Sequence, residues 1–386
     1  MTTSIRKYLS NFRYSVWVLE GTEKHSNAGL RMLYVGGSEV NKNYIANLAF
    51  RPAVHERFLG RFWMLRPTRF KHELAAETDM VVTEIKKGFM DGSDKSCFFV
   101  PCWIDGRINI DETLHLTETI EKIKCDLRRV RKSQYAHQVS HERKEFIDFY
   151  NHMYVPHTTK NYGNEATLHS LEGILKKFEW SELLLIKDGE KPIAGEVIEY
   201  QSNGPKLLCL GVLNGDRRYV NAGAIAALFY FRLMHLKNKG YTEIDFGASR
   251  GFWNDGVLRY KRKWGLNLTA TRGGGFLIHQ LNLNRGTKAF LENNPFIISE
   301  PDGLSSVCFF DDKRTMTQKE QKRILSTVNA PGIKKLLVYQ MDGHSPTLPF
   351  SENTPLPVEV RRINPTGQEN GSGLLRLESA ELNNNR

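Results

Sequence analysis

YSVWVLEG (14–21), LRMLYVGG (30–37) and CFFVPCWI (97–104) are strand-like runs, rich in apolar, β-branched and aromatic residues. Between them VNKNYIANLAF (40–50), MVVTEIKKGF (80–89) and LTETIEKIKCDLRRV (116–130) repeat apolar residues at helical spacing. The first 125 residues or so therefore read as an α/β unit. From residue 143 the pattern sharpens. KEFIDFYNHMYVPH and LHSLEGILKKF predict helices, the first ended by Pro156. SELLLIKDGEKPIAGEVIEYQ predicts a hairpin turning at Asp188 and Gly189, and KLLCLGVLN a third strand. VNAGAIAALFYFRLMHLKNKG is apolar on nearly all sides, so it predicts a buried helix stopped by Gly240. YTEIDFG is a fourth strand, and NLTATRGGGFLIHQL supplies one or two more. Antiparallel strands that feed a strand–helix–strand crossover make a mixed sheet covered by helices, an α+β fold.

The pattern divides the chain into an N-terminal α/β domain (1–130), a second domain (131–285), an extension packed on the core (286–350) and a tail (351–386). From HSPTLPFSENTPLPVEV onward Pro, Ser, Asn, Gly and Glu dominate, too polar to offset the entropy of ordering, so the tail is expected to be flexible. SGLLRLESAEL within it reads as one marginal helical stretch.

Composition adds limits. With 386 residues, 40% of them hydrophobic, the chain is long enough for two ordinary cores. It has no run of eighteen apolar residues, and MTTSIRKYLSNFRYSVWVLEG lacks the apolar segment of a secretion signal. The expectation is a cytoplasmic protein without integral membrane association. The five cysteines are few, odd in number and scattered, which suits free thiols. Cys97 and Cys102 are spaced like half a zinc site but have no second pair downstream, so packing is the expected role and no metal is expected. The formal charge of +11 favours partners that carry phosphates or many acidic groups: nucleotides, coenzyme A, acidic carrier proteins, RNA or anionic lipid. A basic surface that merely keeps the protein soluble explains the charge equally well. The dense cations of IEKIKCDLRRVRKSQYAHQVSHERK (Lys122, Lys124, Arg128, Arg129, Arg131, Lys132) read first as a solvated helix face.

Candidate chemistry concentrates after residue 190. In GDRRYVNAGAIAAL, Asn221, Ala222, Gly223 and Ala224 are small residues at a helix start, where exposed N–H groups and the helix dipole suit a pyrophosphate. The same residues suit close packing of a buried helix on a sheet, and both readings stand. Asp245 lies where the strand IDFG leaves the sheet, a place for a carboxylate that takes or orients an amine proton. A helix cap or a salt bridge to Arg250 is the plainer alternative. The DFG triplet lacks the other kinase motifs. Glu196 and Glu199 fall on opposite faces of one strand, so at most one faces a cleft, and Glu196 is nearer the strand's middle. His137 and His141 are four residues apart, as on one helix face, but lack a carboxylate co-ligand. There is no nucleophile elbow and no phosphate-binding loop of the Walker type. DGVLRYKRKWG (255–265) sets Tyr260 and Trp264 among Arg259, Lys261, Arg262 and Lys263. These cations suit phosphates or a developing oxyanion, and the two rings suit either a substrate face or a core.

ELLLIKDGEKPIAGEVI, GVLNGDRRYVNAGAIAALFYFRLMHLKNKGYTEIDFGASR and DGVLRYKRKWG together resemble the GNAT-type acyltransferases of the Fem-like branch, which includes the FemAB peptidyltransferases, over about residues 143 to 280. The resemblance implies a GNAT-like mixed sheet flanked by helices, with residues 1 to about 130 as a degenerate first GNAT-like half. It implies transfer of an acyl or aminoacyl group without a covalent enzyme intermediate. Lys261 would clamp a phosphate or the oxyanion, Asp245 or Glu196 would be the base, and Asn221, Ala222, Gly223 and Ala224 would hold the pyrophosphate of an acyl-CoA donor. Arg250, Arg259, Tyr260 and Trp264 would contact substrate. The single glycine at 221–224 departs from the usual spaced glycines of a coenzyme A loop. Three functions are therefore carried: transfer from acyl-CoA or an acyl-carrier protein to an amine or hydroxyl of a small molecule or sugar, transfer from aminoacyl-tRNA, and an inactive GNAT scaffold binding RNA or a carrier protein.

Overall fold

The computed structural model describes residues 13–63, 78–85, 97–269, 273–300, 302–311, 317–341, 356–364 and 376–379. In chain order the elements begin with β1 (Arg13–Thr22), β2 (Gly29–Gly36), α1 (Glu39–Ala49), β3 (His55–Trp63), β4 (Met80–Ile85), β5 (Phe98–Pro101) and β6 (Asp105–Asn109). There follow α2 (Ile110–Thr119), α3 (Glu121–Ser133), β7 (Ala136–Ser140), α4 (Arg143–Phe149), a π-helical turn (Tyr150–Tyr154), α5 (Val155–Tyr162) and α6 (Leu171–Leu175). Next come β8 (Ser181–Asp188), β9 (Lys191–Gln201), β10 (Gly204–Val212), α7 (Arg217–Asn221), α8 (Ala224–Asn238) and β11 (Glu243–Asp245). The chain continues with α9 (Gly256–Lys263), β12 (Asn267–Thr269), β13 (Gly275–Gln280), α10 (Arg285–Asn293), β14 (Phe296–Glu300), β15 (Gly303–Phe310), α11 (Gln318–Thr327), β16 (Ile333–Gln340), β17 (Val358–Asn364) and β18 (Arg376–Ser379). The α+β class with mixed sheets flanked by helices is as expected.

The chain forms two compact units, residues 1–104, 250–258 and 270–386 in one and 105–249 with 259–269 in the other. In the first, one sheet runs β3-β1-β2-β4-β13-β5 and another β14-β15-β16-β17-β18. Phe98 packs edge-on against Phe296, Phe309 and Tyr339 at centroid distances of 5.5, 5.3 and 4.9 Å, joining the two sheets through one aromatic core. In the second unit a single seven-stranded sheet runs β12-β6-β11-β10-β9-β8-β7. Gly195 on β9 abuts Phe149 of α4, while its neighbour Glu196 meets Arg232 of α8. Alternation along β9 thus assigns α4 to one face of this sheet and α8 to the other.

Several expectations are corrected. The boundaries at 130 and 285 do not separate the units: β6 pairs with β11 and β12, which draws 105–130 into the second unit. Residues 286–341 share the core of the N-terminal strands rather than extend it. The MVVTEI segment is a strand, because Met80, Val82 and Ile85 are buried and its β-branched residues fit a pleated ladder; residues 86–89 lie outside the described residues. Within the expected tail, β17 pairs in parallel with β16 and antiparallel with β18; its buried Val360 and, on the other face, Ile363, which joins the core of the first unit, are apolar positions that composition averaged away. Arg376–Ser379, from the stretch read as helical, is therefore a strand, and residues 342–355, 365–375 and 380–386 lie outside the described residues. Pro156 does not end a helix: α4, the π-helical turn and α5 follow one another without a break, and Pro156 lies in the first turn of α5. His137 is in β7, not on a helix.

Candidate functional site

The connection β10–α7–α8–β11 returns the chain parallel to β10. The two strands pair at one position, Lys206 with Asp245, and then part. Past Lys206, β11 offers β10 no partner, so the fork has a strand edge along one arm. β10 is irregular at the same place: its ladder with β9 shifts register between Leu207 and Cys209, leaving Leu208 as a bulge.

Four charges converge at the fork. Asp245 Oδ1 accepts the Gly247 N–H at 2.7 Å, and its Oδ2 is 3.5 Å from Lys206 Nζ. Lys261, on α9, donates to the carbonyl oxygens of Gly247 and Ala248 at 3.1 and 2.9 Å. Asp105, at the start of β6, has a raised pKa, first from burial and then from Asp245, against the opposing charges of Lys206 and Lys261. Asp245 and Lys261 thus lie at the same strand end, with Lys261 bonded to the backbone that follows β11.

The sequence reading missed His169, which lies in the loop before α6. Its backbone N–H donates to the Tyr154 hydroxyl at 2.9 Å and its ring lies over Tyr154, with centroids 6.5 Å apart. Its imidazole donates to the carbonyl of Leu208, the bulge residue. Desolvation, then the Lys177 charge, holds its pKa below the ordinary 6.5. The ring is therefore neutral near pH 7, with one nitrogen donating and the other free to accept a proton. Nothing in LHSLEG marks this histidine; a bulge contact across 39 residues leaves no local sequence signal.

Other expected site residues fall elsewhere. Glu196 and Arg232 are fully buried, with Oε2 and Nη1 2.6 Å apart. The guanidinium packs against the rings of Phe229 and Phe246, 4.3 and 4.2 Å from their centroids. Burial pushes Glu196 up to about 7 against the pull of Arg232, but no substrate proton reaches it, so it is not the base. Trp264 is fully buried against Phe229 and is core, not a substrate contact. Tyr260 packs edge-on against the same phenylalanine at 5.0 Å, and burial raises its pKa, keeping the phenol protonated. Arg259 is exposed. Arg250 belongs to the first unit and bonds Asn41, not Asp245. Of the helix start, Asn221 is exposed, and the Ala222 carbonyl accepts the Ser133 hydroxyl at 3.2 Å. Gly223 and Ala224 are buried, with a side chain at Gly223 set to meet Arg129 Cβ of α3 at 3.3 Å. That contact favours the packing role for these small residues.

Among the described residues no cluster of three or more His, Cys, Asp or Glu could hold a metal ion, and no helix is long and apolar enough to cross a membrane. The five cysteines are unbridged. Cys102 and Cys209 are buried thiols whose pKa burial raises, that of Cys102 to about 12.

No family model matches the chain, and no curated protein matches it in sequence. Solved structures are similar at low level. The chain is 14% identical to FemX, covering 69% of this chain and 84% of that one with a TM-score of 0.36. It is 11% identical to the C-terminal domain of a putative lysylphosphatidylglycerol synthetase from Agrobacterium fabrum, over 69% and 81% of the two chains with a TM-score of 0.34. A GCN5-related N-acetyltransferase from Kribbella flavida is 10% identical over 78% of this chain and 62% of that one, with a TM-score of 0.24. Likenesses of this size assign no family, donor or acceptor.

Proposed function

We propose that the second unit is an acyltransferase working at the β10–β11 fork. The observation that carries this reading is the single pairing of Lys206 with Asp245 before the strands part. An extended donor with amide groups in its arm, as in acyl-CoA or an acyl-carrier protein, adds to the open edge of β10 as a further strand would. The thioester carbonyl then lies near the Leu208 bulge. An acceptor amine attacks it, the new C–N bond forms as the C–S bond breaks, and His169 takes the amine proton and returns it to the departing thiolate. Asp245 with Lys206 orients the acceptor amine, and Lys261 holds the 247–248 backbone that forms the other arm.

The test is release of free thiol from an acyl-CoA panel in the presence of small amines. Thiol release that needs an acceptor and falls about 100-fold in His169→Ala supports the reading; absence of donor binding refutes it. A second reading, transfer from aminoacyl-tRNA, is favoured by one observation: Lys122, Lys124, Arg131 and Lys132 of α3 have no carboxylate partner among the described residues. If the tRNA binds and neither donor reacts, an inactive scaffold remains.

A further inference from the structure

The first unit contains a buried cation that no carboxylate meets directly among the described residues. Arg250 is only 5% exposed. Its guanidinium carbon lies 4.4 Å from the ring centroid of Tyr44 and 4.0 Å from that of Trp103, so two aromatic rings pack against the group. Its hydrogen bond runs from Nη1 to Asn41 Oδ1 at 2.8 Å, and it forms no ion pair among the described residues. The nearest acidic group in this network is engaged elsewhere. Glu84 Oε1 accepts Asn41 Nδ2 at 2.9 Å, and its Oε2 accepts the Tyr34 hydroxyl and the N–H groups of Gly37 and Ser38 at 3.0 to 3.1 Å. Glu84 thus reaches Arg250 only through the amide of Asn41, whose orientation those bonds fix. Cys102 and Tyr34 are no counter-ions either, since burial raises both and keeps them neutral.

Burying a guanidinium without an anion is costly. In the plane of a guanidinium two N–H groups match the two oxygens of a carboxylate. We propose that Arg250, caged by Tyr44 and Trp103, binds the carboxylate of a ligand. Trp103, 37% exposed, borders the approach. The site goes beyond the acyltransferase reading and is measured without turnover, so either can fail alone.

The experiment is calorimetric titration of the full chain with succinate, acetate and inorganic phosphate at constant ionic strength. The expected result is one succinate site with a dissociation constant on the order of 1 mM. Arg250→Gln, which can keep the Asn41 bond, weakens it at least about tenfold, and Arg250→Lys, with charge but no fork, weakens it by a similar factor. Trp103→Leu, which leaves the guanidinium in place, weakens it about threefold. Phosphate bound as tightly as succinate, equal succinate binding in native and Arg250→Lys proteins, or no heat at roughly 20 mM succinate overturns the proposal. If Arg250→Gln does not fold, Arg250→Lys and Trp103→Leu still decide it.

Discussion

Glu196 and Arg232 place opposite charges 2.6 Å apart where no water reaches, and Glu196 Oε1 with Arg232 Nε and Nη2 find no partner among the described residues. Removing one partner leaves a buried charge alone, so Arg232→Met is expected to lower stability by about 3–5 kcal/mol, measured by urea unfolding. Glu196→Leu combined with Arg232→Met removes both charges and should recover most of that loss. At the fork, His169 needs its neutral form to accept a proton. Because its pKa lies below 6.5, transfer should hold as pH falls through 6.5 and decline only below it, and His169→Ala should abolish that limb of the pH–rate profile. Period-two alternation was enough to put Glu196 and Glu199 on opposite faces, and Glu199 indeed pairs with Lys177 at 2.8 Å. It could not supply Arg232 or the Leu208 bulge, because those partners lie 36 and 39 residues away and nothing local encodes them.

The elements most readable from the chain were those with long apolar runs. The β8–β9 hairpin and helix α8 stand where those runs placed them, since the fifteen residues of α8 are too long a run for one strand. The misread β4 is short, and six residues do not separate period two from period 3.6. What fixes α8 at its end is a tertiary cluster: Glu182 of β8 accepts from His235 at 2.7 Å and from Lys239 and Tyr200 at 2.5 Å. Burial would raise the Glu182 pKa, but these hydrogen bonds outweigh it and hold the group at about 2. A depressed carboxylate stabilises the fold above its ordinary 4.5 and loses that contribution as pH falls towards 2. Glu182→Gln should therefore cost on the order of 3 kcal/mol at neutral pH, and the gap to the native protein should close on acid titration. At the other end of α8, Gly223 has φ +100° and lies against α3. Gly223→Ala should cost about 1–2 kcal/mol in urea unfolding without weakening donor binding at the fork.

At the scale of the whole molecule, the formal charge of +11 says less than its distribution. On α3, Arg128 pairs with Glu121 and Arg129 with Asp126, and Asp126 also takes Lys263 of α9. Asp126 is thus shared between two cations. Among the described residues Lys122, Lys124, Arg131 and Lys132 have no carboxylate partner, and with six cations against Glu121 and Asp126 the net charge of this helix is close to four. Displacing counterions at four phosphates gives a logarithmic salt slope of roughly −3 to −3.6. Raising salt from about 50 to 200 mM should then weaken binding of bulk tRNA by roughly 50- to 150-fold, measured by filter binding or calorimetry. Replacing the four with glutamine should flatten the slope without altering thiol release from acyl-CoA, because an extended donor held along a strand edge depends on backbone hydrogen bonds. If the substitutions instead abolish acyl transfer, α3 belongs to the donor site and the phosphates of the donor, not its arm, are what the basic helix holds.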